Sequence, residues 1–183
     1  MPLSPELNIV RAMLQKHSPA DDSEADSLRR IFELVNTGSA PFSRDHYVPG
    51  HLTASAIVLN EERNKAMLIF HGKLKLWLQP GGHFDTGEND PSIAAAREVL
   101  EETGLTARWP GSEPRLLDVD VHEIPERPNA PRHCHFDLRM LLIATGAGKA
   151  GDDAHDAKWV EAAEAFAMNL DPGLVRALKK VWP

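Results

Sequence analysis

Residues 80–105 read PGGHFDTGENDPSIAAAREVLEETGL: a glycine turn, an acidic loop, then a helix crowded with glutamates. Asp90 followed by Pro91 marks the helix start, because an aspartate side chain takes up free backbone N–H groups and proline suits the first helical position. Thr103-Gly104 marks the stop. Between those ends Glu98, Glu101 and Glu102 stand at i, i+3 and i+4, so their carboxylates share one helix face. Like charges at this spacing oppose the helix by about 0.2–0.5 kcal/mol per pair, and Arg97, four before Glu101, offsets only part of that. Two outcomes relieve the repulsion. The face is simply solvated, or a hard divalent cation such as Mg²⁺ sits among the carboxylates, taking oxygen ligands and reaching a substrate's phosphates.

The order of the flanking residues decides between them. The stretch resembles the Nudix box, whose pattern is Gly, five residues, Glu, seven residues, Arg-Glu, a large apolar residue, any residue, Glu-Glu, any residue, Gly, apolar. Gly82 and Glu88 match its first half and residues 97–105 its second. The chain departs at one point, with eight residues (NDPSIAAA) between Glu88 and Arg97 where the pattern has seven. The extra residue is expected in 89–91, ahead of the helix, where a loop accepts an insertion and the 97–102 spacing is untouched. Two further segments, PFSRDHYVPGHLTAS with KLWLQPGGH and VHEIPERPNAPRHCHFDLRMLL, look like those of a Nudix subgroup of unassigned substrate.

That resemblance implies an α/β/α sandwich with a mixed, curved sheet. It also implies Mg²⁺- or Mn²⁺-dependent hydrolysis of a diphosphate bond in a nucleoside diphosphate linked to another moiety. By the same resemblance Glu98 and Glu102 bind metal directly, Glu101 directly or through water, and the Gly81 carbonyl joins the shell. Arg97 and Glu88 orient the set. The general base stays open among Glu98, Glu101 and a late-loop carboxylate, Asp153 or Asp156, both of which also read as solvated turn residues. Two rival readings share the fold: a nucleotide- or metabolite-binding sensor without turnover, and an isomerase of small diphosphates. The complete 97–102 set opposes the first. The second relies on a cysteine and a glutamate, and Cys134 falls on the apolar side of its strand.

The 183 residues suit one domain with an appendage, divided here as a helical hairpin over 1–45 and a hydrolase domain over 46–183. A formal charge of −7 opposes binding of a nucleic-acid polymer, which needs clustered Lys and Arg. It leaves room for a small phosphorylated substrate, since a bound cation reverses the local field. The single Cys134 permits no internal disulfide, as in a reducing cytosol. The start MPLSPELNIV shows no basic region followed by an apolar core, and no apolar run reaches membrane-spanning length, so a cytoplasmic protein without a membrane partner is expected.

In chain order, residues 4–17 and 22–36 read as two helices, the second with Leu28, Ile31, Phe32 and Val35 on one face. The pair is expected to cover an exposed part of the following domain, with closure of the substrate site or homodimer formation as its other roles. Strands are expected over 52–59 and 65–71, joined by a turn. Lys73 and Lys75, just before the box, either meet substrate phosphates or are surface charges. The box helix is expected to pack inward through Ile93, Ala96, Val99 and Leu100, opposite its acidic face.

Two later strands alternate. Over 117–122, Asp118, Asp120 and His122 share a face; over 133–140, His133, His135, Asp137 and Arg139 share one, opposite Cys134, Phe136, Leu138 and Met140. Paired, they set an acidic row against His and Arg. This is either the wet face of a hairpin or a wall of the substrate cleft, with His133, His135 and Arg139 touching phosphate or base. A zinc site from His122, His133 and His135 fits the spacing but lacks supporting cysteine pairs. Residues 146–151 read as a flexible link, 157–160 as a strand, and 161–168 and 172–181 as helices. Tyr47, Trp77, Phe84 and Trp109 are the candidates for stacking on a base.

Overall fold

The spine is β1 (Gly50–Leu59), every residue of which is buried. It runs parallel to β7 (His133–Ala144) from Gly50↔Cys134 to Leu59↔Ile143. The computed structural model describes residues 5–36, 41–72, 74–151 and 154–182. A strand buried on both faces needs cover on both sides, and its sequence supplies it. Leu52, Ala54, Ala56 and Val58 face one apolar cluster, while Ile57 and Leu59 face the other.

Around the spine the sheet is mixed. β2 (Lys65–His71) pairs antiparallel with the end of β1, with β3 (Leu76–Leu78) and with β8 (Ala154–Glu161). The start of β1 pairs instead with β4 (Gly81–His83). On the other side β7 pairs with β5 (Ala107–Arg108) and β6 (Leu116–Ile124). Because β1 changes partner along its length, the sheet curves there. The expected strands are present, and β1 begins two residues earlier than the pattern suggests. β3, β4 and β5 are additions, since segments of two or three residues carry no period to read.

Helices cover both faces, giving the α/β/α sandwich. On one side lie α1 (Asn8–Lys16, preceded by a 3-10 turn at Pro5–Leu7), α2 (Asp22–Asn36) and α3 (Pro91–Thr103). Leu7, Val10 and Leu14 of the first helical unit and Ile31, Leu34 and Val35 of α2 share a cluster with Leu52, Phe136, Val119 and Val99. The hairpin thus adds to the main core, each buried Leu or Ile contributing about 1.5–3 kcal/mol. On the opposite side, α4 (Ala162–Ala167) and α5 (Pro172–Lys179) bring Ala165, Leu174, Ala177 and Leu178 against Ile57, Leu141, Ile143 and Val160. Among the described residues no helix is long and apolar enough to cross a membrane.

The helix α3 carries a correction. Asp90 caps it as expected, accepting from the Ser92 N–H at 2.9 Å, and Gly104 ends it at φ 66°, its N–H bonding Leu100 O. Yet Ile93 and Leu100 are 57% and 50% exposed, while Ala94, Ala95, Val99 and Glu102 are buried. The small alanines let the helix approach the sheet closely. As a result Glu98 and Glu102 lie on its inner side with Val99 and Ala96, while Ile93 and Leu100 point outward.

Candidate active site

The site forms where α3 meets β4. Gly81 and Gly82 are required by close approach: a Cβ on the first would fall 2.3 Å from Ser55 Cβ, and one on the second 2.6 Å from Glu98 Oε1. The expected glycine turn is therefore the start of a short strand, whose Gly81 N–H donates to Glu102 Oε2 at 2.9 Å.

Arg97 is the hub. Its Nε and Nη2 donate to the two carboxylate oxygens of Glu88 at 3.1 and 3.0 Å, and Nη2 also donates to the His83 carbonyl at 2.8 Å. Nη1 donates to Glu98 at 3.0 Å and to Glu101 at 3.1 Å. Asp85 lies 3.4 Å from Nε. The bidentate Glu88 pairing is present with the extra residue after it, and Glu88 and Asp85 also close on each other, the Asp85 N–H donating to the Glu88 carboxylate and the Glu88 N–H to the Asp85 carbonyl.

Among the described residues charge does not balance here. One guanidinium faces Asp85, Glu88, Glu98 and Glu101, with Glu102 alongside. Burial lifts Glu98 above the usual carboxylate range against the pull of Arg97, with Glu101 and Asp85 adding repulsion. For Glu88 burial pushes the same way, but the hydrogen bonds from Arg97 prevail and hold it low. An all-oxygen donor set with surplus negative charge fits a hard divalent cation, Mg²⁺ or Mn²⁺, and not a soft one.

The late loop is docked where a flexible link was expected. The Lys149 N–H bonds Thr103 O and the Gly151 N–H bonds Glu102 O, both at 2.8 Å, while Gly146 O accepts from Trp159 Nε1. These bonds satisfy carbonyls at the end of α3. Asp153 lies outside the described residues, as does Lys73. Asp156 is exposed on β8 and accepts from the Ala157 N–H. Lys75 is exposed in the turn between β2 and β3 and takes no part in holding Arg97 or the glutamates.

The paired faces of β6 and β7 align as expected, Asp118 opposite Arg139 and His122 opposite His135. His122 is exposed, but the Asp118–Arg139 end is not a wet surface. Arg139 is 3% exposed; its Nη1 donates to Asp118 at 3.1 Å, and Asp120 and Asp137 lie 3.5 and 3.2 Å from its other nitrogens. Asp137 accepts from Thr53 and Ser55 of β1 at 3.0 and 2.6 Å. From α5, Arg176 donates to both oxygens of Asp118 at 2.9 Å, and Lys180 lies 2.9 Å from Asp118 and also bonds the fully buried Glu24. With its guanidinium engaged by three aspartates, Arg139 acts as a structural cation and not as a substrate contact.

Farther along the same face His133 and His135 meet three more histidines, His51 of β1, His83 of β4 and His122 of β6, with neighbouring rings 4.8–5.5 Å apart. Burial, reinforced by the neighbouring rings, lowers His83 to about 4 and His135 further still. His51 and His83 carry no signal of function in the sequence. His51 follows Pro49-Gly50, which reads as a strand breaker, and His83 falls on an unspecified position within the box. Of the stacking candidates, Phe84 is buried edge-on against Phe42, Trp77 is covered by Lys158, and Trp109 packs on the core. Tyr47 stands beside His133 at 5.2 Å.

A family model described as NUDIX domain matches residues 49–181. Over 54 residues, 30% of the chain, it is 46% identical to a putative 8-oxo-dGTP diphosphatase of Bacillus subtilis, covering 35% of that protein. Over 141 residues, 70% of the chain, it is 29% identical to an ADP-ribose pyrophosphatase of Mycobacterium tuberculosis, covering 61% of it. The matches thus span less than two thirds of either relative. Among solved structures, a NUDIX-family hydrolase from Clostridium perfringens superposes with a TM-score of 0.53 at 27% identity, covering 72% of this chain and 95% of that one.

Proposed function

The chain belongs to the NUDIX family, and from that premise we propose that it is a Mg²⁺- or Mn²⁺-dependent hydrolase of a diphosphate bond in a nucleoside diphosphate linked to another moiety. One observation carries the reading: Glu98, Glu101 and Glu102 converge beside Gly81 and Gly82, and among the described residues a single guanidinium, Arg97, bonds both Glu98 and Glu101. Glu98 and Glu102 would hold the cation, with Glu101 and the Gly81 carbonyl as the further oxygen donors. When bound, the cation supplies positive charge to the diphosphate oxygens and acidifies neighbouring water.

The chain's own residues do the rest. Arg97, clamped by Glu88 and the His83 carbonyl, fixes the rotamers of Glu98 and Glu101, so little reorganisation is needed as charge moves to the leaving group. Glu98 and Glu101, both held by Arg97, are the box carboxylates positioned to accept a proton from attacking water. The hairpin over 1–45 serves as a cap on the hydrolase domain, and the lone Cys134, half-buried on the apolar side, suits a reducing cytosol.

The names of the relatives place ADP-ribose and oxidised nucleoside triphosphates first in a substrate panel, followed by dinucleoside polyphosphates and nucleotide sugars. Product masses from each compound, with Mg²⁺, Mn²⁺ or neither, test the proposal. Metal-dependent cleavage of one class between phosphates is the expected result. Tight binding of a panel member with no product under any condition would overturn it in favour of a sensor.

A further inference from the structure

Five imidazoles on one sheet face exceed what the hydrolytic reading uses. We infer that His51, His133 and His135 form a second metal site, separate from the carboxylate box, for a divalent first-row transition ion of the zinc class. One ring nitrogen from each lies within 4.8 Å of the others. The strand register makes this no accident of rotamers. His51 sits directly opposite His135 in the parallel β1–β7 pair, and His133 is two residues before it on the same face.

Hydrogen bonding fixes which nitrogens are offered. His133 Nδ1 lies 2.7 Å from Pro131 O, and His51 Nδ1 lies 3.2 Å from His46 O. A carbonyl only accepts, so each Nδ1 carries the hydrogen and each Nε2 keeps its lone pair. That is the arrangement by which backbone carbonyls orient metal-binding histidines. His51 is 1% exposed, and its Nε2 has no hydrogen-bond partner among the described residues. A buried imidazole nitrogen without a partner costs stability unless something ligates it.

The zinc trio considered from spacing named His122 in place of His51. In the structure His122 is turned to Asp120, 3.1 Å away, and leaves the ligand role to His51. Tetrahedral Zn–N bonds of about 2.0–2.1 Å set the nitrogens roughly 3.3 Å apart, so the rings close by small side-chain rotations. Three imidazoles leave one position open, as in catalytic zinc sites. The site adjoins the box, because the His83 ring lies 5.0 Å from that of His51 while its carbonyl holds Arg97. A cation bound there makes this face receptive to an anionic oxygen.

The test is equilibrium dialysis of the full chain against Zn²⁺ in excess Mg²⁺, which occupies the box, with metal counted by mass spectrometry. One zinc per chain is expected. His51→Ala and His135→Ala should each weaken it at least about 100-fold, whereas the Glu98→Gln/Glu102→Gln pair should retain it. Loss of zinc in the glutamate variant with retention in the histidine variants would overturn the inference. Co²⁺ absorption and Cu²⁺ electron paramagnetic resonance on the wild-type chain decide the matter even if the histidine variants misfold. Intense four-coordinate bands and nitrogen hyperfine structure support the site. Six-coordinate spectra with oxygen donors alone, or no stoichiometric binding, overturn it.

Discussion

Two charge clusters lie on adjoining parts of this fold and behave in opposite ways. In the box, among the described residues, Arg97 alone pairs with a group of carboxylates, and burial leaves Glu98 with raised proton affinity. Between β6, β7 and α5, the carboxylates of Asp118, Asp120, Asp137 and Glu24 are answered by Arg139, Arg176 and Lys180. There, burial works against Asp120 and Glu24 too, yet hydrogen bonds and neighbouring cations hold both well below the ordinary range. A cluster in which three cations answer four carboxylates comes close to satisfying itself and serves the fold. An unbalanced one is held in place by the surrounding structure and has capacity left for a cation.

The contrast is sharpest for function in Glu98→Gln. The change keeps the shape and removes one ligand charge, so turnover should fall about 1,000-fold. Because a buried and incompletely compensated charge is removed, the melting temperature should stay level or rise. A large loss of stability with turnover retained would place Glu98 in the structural class. The complementary change is Asp118→Ala, which leaves Arg139 and Arg176 buried without their shared partner. Urea unfolding should show a loss of about 3–5 kcal/mol, while activity per folded molecule changes little.

Acid separates the imidazole face from the cation-paired carboxylates. His83 titrates near 4 in the folded chain, below the 6.5 of an unperturbed imidazole, and His51 and His135 are lowered in the same direction. As pH falls below about 6.5 the unfolded chain takes up these protons first, so folding stability falls until the folded values are reached. His83 alone contributes a loss on the order of 3 kcal/mol between about pH 6.5 and 4. His122 acts in the opposite sense, its burial outweighed by Asp120 so that its value is raised. Asp120 and Glu24, both lowered, give up their stabilisation only at more acidic pH. Urea melts between pH 7.5 and 4 should slope downward from about 6.5, and a flat profile would contradict the imidazole assignment. A smaller effect is expected for Arg97→Lys. An ammonium keeps the charge but cannot reach Glu88, Glu98, Glu101 and the His83 carbonyl together, so kcat should fall about 10- to 100-fold.

Local chemistry made the box helix legible. Asp90-Pro91 and Thr103-Gly104 act through hydrogen bonds within a few residues, and both ends of α3 lie where those signals put them. Its orientation was not legible in the same way. Placing the acidic face opposite the apolar one is a sound default for a surface helix, but here Gly81 and Gly82 draw Glu98 and Glu102 inward and leave Ile93 and Leu100 outside. The alternation of β6 and β7 gave the correct faces. What covers such a face is a tertiary fact, and nothing near Asp118 in sequence announces Arg176, 58 residues later. His51 escaped for a related reason, since its partners His133 and His135 reach it only through a parallel pairing across some 80 residues of chain.

The most direct test of the central claim is the metal dependence of turnover on the best substrate of the panel, in wild type and in Glu102→Gln. The account predicts that wild-type hydrolysis stops on chelation and returns with Mg²⁺ or Mn²⁺, and that the folded variant stays silent at every metal concentration. Hydrolysis that survives chelation, or a Glu102→Gln protein that turns over at the wild-type rate, would contradict it.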